Sequence, residues 1–116
     1  GDNCIIHSHV WIGNEVKIGQ YCKIEAFSFI PTGVKIGNYV FIAPSVTFTN
    51  DKYPPSGREN WKETEVEDYA SIGANATILP GIKIGRYATV GAGAVVCRDV
   101  PEKATVVGNP AKELKK

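Results

Sequence analysis

Aliphatic residues return along this chain at every sixth position. From Ile6 the series runs Ile12, Ile18, Ile24, Ile30, Ile36, Ile42 and Phe48, then resumes at Val66 and continues through Ile72, Ile78, Ile84, Val90 and Val96. The fourth residue after each, Phe48 excepted, is small or β-branched. In the first run these are Val10, Val16, Cys22, Ser28, Val34, Val40 and Val46; in the second they are Ala70, Ala76, Ile82, Ala88, Ala94 and Val100. Six residues turn an α-helix by about 600°, which would scatter the apolar positions around it, so a helix is excluded. A long strand is excluded as well, because Gly13, Gly19, Gly37, Gly73, Gly85 and Gly91 recur within the pattern. A short strand followed by a bend satisfies both facts. The first and fifth residues of each hexad then point inward, and the residues between them make a corner.

The pattern therefore predicts an all-β chain. Repeats of this length mark parallel β-helices, and three hexads per turn give a triangular prism of about five coils spaced about 4.8 Å apart. Asn14, Asn38 and Asn75 are expected at corners, where tolerance of unusual backbone angles matters. Cys4 and Cys22 share a hexad position one turn apart and are expected to stack inward as reduced core thiols.

The repeat breaks between Phe48 and Val66, at TNDKYPPSGRENWKETE. An in-register coil through this stretch would turn Pro54 and Asn60 inward, which an apolar interior rejects. The expectation is a loop extruded over residues 50–65, with Val66 resuming on the next face. An extruded loop puts Ile42 under Ile72, whereas an in-register coil puts it under Ile78. A polar, proline-containing loop carrying Tyr53 and Trp61 on a regular scaffold points to a flap over a ligand or to packing against a neighbouring subunit.

Charge narrows the function classes. With 13 Lys and Arg against 12 Asp and Glu, nothing directs the chain to nucleic acid or to a membrane surface. No apolar run approaches the roughly 18 residues of a membrane span. Three scattered cysteines make neither a disulfide framework nor a zinc motif, so a reducing, cytoplasmic setting is expected. Gly1 already falls inside the repeat and the chain has no Met, so the native chain is expected to begin earlier. Two histidines, His7 and His9, are too few for a three-histidine zinc site, and no metal is expected. Acyl transfer from coenzyme A fits better. Gly73-Ala74 and Gly91-Ala92-Gly93 leave corner N–H and C=O groups unshielded, and a pantetheine arm is a chain of amides that can lie beside them.

The motifs FTNDKYPPS, ASIGANATILPGIKIG, VGAGAVV and VVGNPAK, with NCIIHSHVWIGNEVKIG near the start, resemble those of the hexapeptide-repeat acyltransferases. Within that family they are most similar to N-acetyltransferases acting on nucleotide-linked 3-amino sugars. The resemblance implies a left-handed β-helix over residues 1–101 and a tail over 102–116, with PAKELKK beginning a short helix over the last coil. It implies acetyl-CoA as acetyl donor, with Ala74 and Ala92 on its pantetheine, Arg98 and Lys112 at its phosphates and Pro110 near its adenine. It also implies a homotrimer with active sites between subunits. Tyr21, Tyr39, Phe27, Phe29 and Phe41, read as one exposed aromatic prism face, fit such an assembly.

A sugar amine is partly neutral near pH 7 to 8 and attacks a thioester without a strong base, so an amide suffices to orient it. Asn50 is the expected orienting residue, against a plainer role as a turn residue at the loop base. His9 is the candidate base or sugar ligand, against a simple surface histidine. Asp51, Tyr53 and Trp61 are expected on the substrate side. The chain departs from the family on that side: Tyr53-Pro54-Pro55 stands where Tyr-Pro-Arg is usual, with Arg58 nearby, and SFIPTG lacks a Trp-Asp pair. Two other readings stay open, a sugar or antibiotic O-acetyltransferase using His9 as base and a non-catalytic β-helix assembly module.

Overall fold

In the computed structural model, which describes residues 1–51 and 62–114, the repeated aliphatic positions form the interior of a three-sided β-helix. Ile24, Ile30, Ile42, Phe48, Val66, Ile72, Ile78 and Ile84 are completely shielded from solvent. The first face stacks β1 (Ile5–Ile6), β4 (Lys23–Ile24), β7 (Phe41–Ile42), β10 (Ser71–Ile72), β13 (Thr89–Val90) and β15 (Thr105–Val107) in parallel. The second stacks β2 (Trp11–Ile12), β5 (Phe29–Ile30), β8 (Thr47–Phe48), β11 (Thr77–Ile78) and β14 (Val95–Val96). The third stacks β3 (Lys17–Ile18), β6 (Val34–Ile36), β9 (Thr64–Val66) and β12 (Lys83–Ile84), and Val100 bridges onto Ile84. No helix long and apolar enough to cross a membrane occurs among the described residues.

Small residues at the fifth hexad position let each coil close around its own Ile or Val. Ala70, Ala76, Ala88 and Ala94 are buried there. Ser28 is buried there too, and its hydroxyl donates to the Ala43 carbonyl at 3.1 Å, so no polar group is stranded. Cys4 and Cys22 occupy the same position on adjacent coils as free thiols. They donate to the carbonyls of Gly19 and Gly37, each at 3.0 Å. Burial pushes the Cys22 thiol above its ordinary pKa, since a thiolate there would be poorly solvated.

The break in the repeat is an excursion from the wall. Ile72 pairs with Ile42 and Ile78 with Phe48, while Val66 pairs with Ile36 on the third face. Lys62 N–H donates to the Asn50 carbonyl at 3.0 Å and closes the neck. Thr64 is buried opposite Val34 and already belongs to β9, so the wall resumes before residue 65. Tyr53, Arg58 and Trp61 lie outside the described residues.

Four expectations are corrected. The C-terminal stretch is not a helix: β16 (Lys112–Glu113) runs antiparallel to β15, and Leu114 N–H reaches the Thr105 carbonyl at 2.7 Å. AKELKK is helix-forming in composition, but a segment so short cannot offset the cost of nucleation, while the edge of β15 offers ready partners. The coil also continues past residue 101, because β15 pairs in parallel with β13. Of the three corner asparagines, only Asn75 itself has the left-handed backbone; beside Asn14 and Asn38 it falls on Glu15 and Tyr39, with φ of 62° and 59°. Asn38 instead ties coils together. Its Oδ1 accepts Gln20 N–H, and its own N–H donates to Asp68 Oδ1, each at 2.8 Å. Finally, the five aromatics do not share one face: Phe41 lies on the first face and Phe29 on the second, while Phe27, Tyr21 and Tyr39 occupy two different corners.

Candidate active site

Three edges separate the faces, and their chemistry differs. Between the third and first faces, Tyr21, Tyr39, Tyr69 and Tyr87 stack ring on ring at centroid distances of 5.1, 4.9 and 4.8 Å. All four have left-handed backbone, with φ between 58° and 64°. Such angles are costly for bulky residues and persist where the surroundings over-determine them. Here stacking supplies that support, and Arg86 adds a cation over the rings of Tyr69 and Tyr87. A spacing of eighteen residues from Tyr21 to Tyr39 and from Tyr69 to Tyr87, on either side of the break in the repeat, was the signal in the sequence.

The edge between the first and second faces is bare at its C-terminal end. Its corners are residues 7–9, 25–27, 43–45, 73–75 and 91–93, one above the other. Gly73 is required by close stacking, since a Cβ there would come within 2.6 Å of Ala92 N. Gly93 has a φ of 72° and nothing within 4 Å of where a Cβ would stand, so the ridge beside it is open. The Ala74 carbonyl accepts Gly93 N–H at 2.8 Å. No hydrogen bond to the backbone N–H or carbonyl of Ala92 occurs among the described residues. Ala74 and Ala92 therefore share one unshielded ridge.

At the other end of this edge stand His7, His9, Glu25 and Phe27. His9, at a φ of 61°, lies flat against Phe27 with centroids 5.0 Å apart. His7 Nε2 is 3.2 Å from Glu25 Oε2, and Lys23 Nζ is 3.5 Å from Glu25 Oε1. Sequence reasoning favoured His9 over His7 and missed this pair. Partners one coil apart are eighteen residues apart in sequence, and that was the available signal.

The third edge, between the second and third faces, carries Asn50, Asp51 and Arg98. Asn50 Nδ2 donates to the Thr32 carbonyl at 2.9 Å, and with the Lys62 bond this makes Asn50 a clamp at the base of the excursion. Asn50 and His9 thus lie on different edges, and one prism does not bring them together. At residues 97–99 the repeat is cut short: Val100 lies across from Ile84, and Asp99 Oδ1 accepts Lys83 N–H at 2.9 Å in place of a strand carbonyl. The tail folds back over this shortened corner, with Val95 N–H donating to Gly108 and Ala111 N–H donating to Val95. Arg98, Pro110 and Lys112 come together there around a cavity of about 360 Å³, with Asp99 and Glu113 also in its wall.

Comparison with known proteins bears on this geometry. The bacterial transferase hexapeptide family (six repeats) matches residues 15–50 and 63–98. The galactoside O-acetyltransferase of Lactococcus lactis is 28% identical over 127 residues, across 100% of this chain and 61% of its own length. The chain spans less than two thirds of the length of the curated relatives it matches first. Among solved structures, a hexapeptide-repeat acetyltransferase from Vibrio cholerae superposes with a TM-score of 0.88 at 26% identity, covering 99% of this chain and 71% of that one. A second structure of that protein holds acetyl coenzyme A and superposes at 0.59 and 26%, covering 97% and 70%. The GDP-perosamine N-acetyltransferase of Caulobacter crescentus, at 22% identity and a TM-score of 0.69 over 98% of this chain and 54% of that one, shares the fold.

Proposed function

The chain belongs to the bacterial hexapeptide-repeat transferases, and from that premise we propose that it is an acetyltransferase moving acetyl from coenzyme A to the amino group of a nucleotide-linked amino sugar. One observation carries the donor half of this reading. The bare ridge at Ala74 and Ala92 and the cavity walled by Arg98, Pro110 and Lys112 suit the two ends of one long ligand. Free backbone polar groups along the ridge match the amides of a pantetheine arm. Two cations beside a proline match a phosphorylated adenosine. The acetyl complex of the Vibrio cholerae relative supports the same donor.

The acceptor half rests on the FTNDKYPPS motif and on the chemistry of amines. A neutral amine attacks the thioester carbonyl, the C–N bond forms and the C–S bond breaks, and the departing thiolate takes the surplus proton. The protein holds amine and carbonyl together, worth several kcal/mol at least, and offers a backbone N–H such as that of Ala92 to the developing oxyanion. Asn50 has one amide hydrogen on Thr32, and its Oδ1 and second amide hydrogen are the groups that would orient the amine. His9, with Phe27 against its ring, and Asp51, Tyr53 and Trp61 form the sugar side. Because Asn50 and His9 stand on separate edges, a homotrimer with each site between neighbouring prisms is the arrangement that joins them.

A second reading, transfer to a sugar hydroxyl, is favoured by the Lactococcus relative, whose name gives a galactoside O-acetyl product. The deciding experiment supplies acetyl-CoA with a panel of nucleotide-linked 3- and 4-amino sugars and of unmodified sugars, and follows thiol release. Release with amino sugars alone is expected. Release with hydroxyl acceptors alone replaces the first reading by the second, and absence of coenzyme A binding by calorimetry overturns both.

A further inference from the structure

Two of the three cysteines share one interior column. Cys4 and Cys22 hold the same hexad position on adjacent coils, and Ile5 N–H donates to the Cys22 carbonyl at 2.9 Å, which fixes that register. Higher up, the column is filled by Val40, Ala70, Ala88 and Ala104, all buried. Packing there asks only for a small apolar side chain, so it does not by itself call for two thiols in succession. The two sulfurs also feel each other. Burial is the main cause of the raised Cys22 pKa, and the neighbouring Cys4 thiol adds to it. Cys22 is fully buried, whereas Cys4 is only half-buried. Among the described residues, the strands that follow Cys4 in its coil, β1, β2 and β3, are paired on one side only. That coil is loosely covered, since its inward Ile6 and Ile12 are 46% and 37% exposed. Cys97 is exposed near the opposite end of the prism, away from both.

We propose that Cys4 and Cys22 are a redox-responsive pair, which a peroxide joins as a disulfide between the first two coils. Backbones one coil apart, about 4.8 Å, lie within the Cα range of a disulfide. Disulfide-linked Cβ atoms sit about 3.8 Å apart, so closure draws the first coil about 1 Å toward the second. The half-buried Cys4 sulfur meets peroxide first: the O–O bond breaks, Cys4 becomes a sulfenic acid and one water leaves. The Cys22 sulfur then attacks the Cys4 sulfur. The S–S bond forms, the S–O bond breaks, and the displaced hydroxide takes the Cys22 proton as a second water. Two thiols are oxidised and one peroxide is reduced. Proximity offsets the sluggishness of a thiol that burial keeps protonated. A thiol reductant reverses the link by exchange. The corner at residues 7–9 begins three residues after Cys4 and carries His9, while the cavity at Arg98, Pro110 and Lys112 lies at the other end of the prism. Closure therefore disturbs the acceptor end and spares the donor end. That consequence rests on the acetyltransferase reading; the disulfide does not.

The test treats the full chain with stoichiometric hydrogen peroxide, alkylates the remaining thiols and maps tryptic peptides without reductant. Cleavage after Lys17 and Lys23 places Cys4 in peptide 1–17 and Cys22 in peptide 18–23. The two peptides should be found joined in chains that run as monomers on a denaturing gel, and Cys97→Ser should give the same link. Oxidised Cys97→Ser should show kcat/KM for the acceptor lowered about tenfold, within the reach of a 1 Å misplacement, with KM for acetyl-CoA within about twofold. Dithiothreitol should restore it, and Cys22→Ala under the same treatment should keep its activity. Alkylated Cys4 and Cys22, a sulfinic acid at Cys4 beside an alkylated Cys22, or a link found only between chains overturns the proposal. A linked chain with unchanged acceptor kinetics overturns the control of the acceptor end. A wild-type chain that neither binds acetyl-CoA nor releases thiol removes the acetyltransferase reading, and the peptide map still decides the disulfide.

Discussion

The tyrosine-stacked edge and the bare edge are made by the same backbone. Both turn at a residue in the left-handed region: Tyr21, Tyr39, Tyr69 and Tyr87 on one, His9, Phe27, Ser45, Asn75 and Gly93 on the other. Coil spacing and hydrogen bonding match between them. What differs is side-chain bulk. On the first edge each ring covers its neighbour and the corner is closed, while on the second the rings stop at Phe27 and the upper coils expose backbone. A regular solenoid thus bares the backbone of one corner column by removing side chains from it, with no change of path.

The sharpest way to break this contrast is to put bulk on the bare edge. Ala92→Tyr should lower kcat/KM for acetyl-CoA by at least about 100-fold while changing stability by no more than about 0.5 kcal/mol, as for other exposed substitutions. Steady-state kinetics and urea denaturation together check it. The converse change opens the closed edge. Tyr69→Asn keeps a residue suited to positive φ but removes two stacks, each worth about 0.5–1.5 kcal/mol. A loss of about 1–3 kcal/mol by urea denaturation is expected, with acetyl transfer intact.

The smallest effect concerns the thiol behind the tyrosine edge. Burial raises the Cys22 pKa in the folded chain, so its contribution to stability is complete below the unfolded thiol value of about 8.5. That contribution is lost as pH climbs from there through the folded value. Denaturation midpoints between pH 8 and 9.5 should fall more steeply for wild type than for Cys22→Val.

The columns of Ile, Val and Ala were legible because burial imposes a six-residue period on them, and the same logic told an excursion from a coil through Ile42 and Ile72. Corners carry no such signature. Exposed residues there are constrained by their neighbours one coil away, so the tyrosine stack and the His7–Glu25 pair emerge only when residues eighteen apart are compared. Asp99 was illegible for another reason: a carboxylate stands in for a strand carbonyl and lets the repeat skip two positions, which moves Arg98 toward the tail. The helix expected after Pro110 failed because local propensity yielded to the open edge of β15. Of the candidate site, the open Gly and Ala corner and the meeting of Arg98, Pro110 and Lys112 around one cavity match what the sequence led one to expect of the geometry. That Asn50 and His9 stand on separate edges was not legible, because it depends on which face each corner joins.

The neck between Asn50 and Lys62 has a practical corollary. The wall leaves and re-enters beside the Lys62–Asn50 backbone hydrogen bond, and Val66 lands on Ile36, so paired residues on either side of the segment set the register of the scaffold. Substitution of that segment wholesale, by transplanting one of different length or composition, should alter acceptor choice while leaving the donor end as it was. That makes the neck the natural place to engineer new specificities.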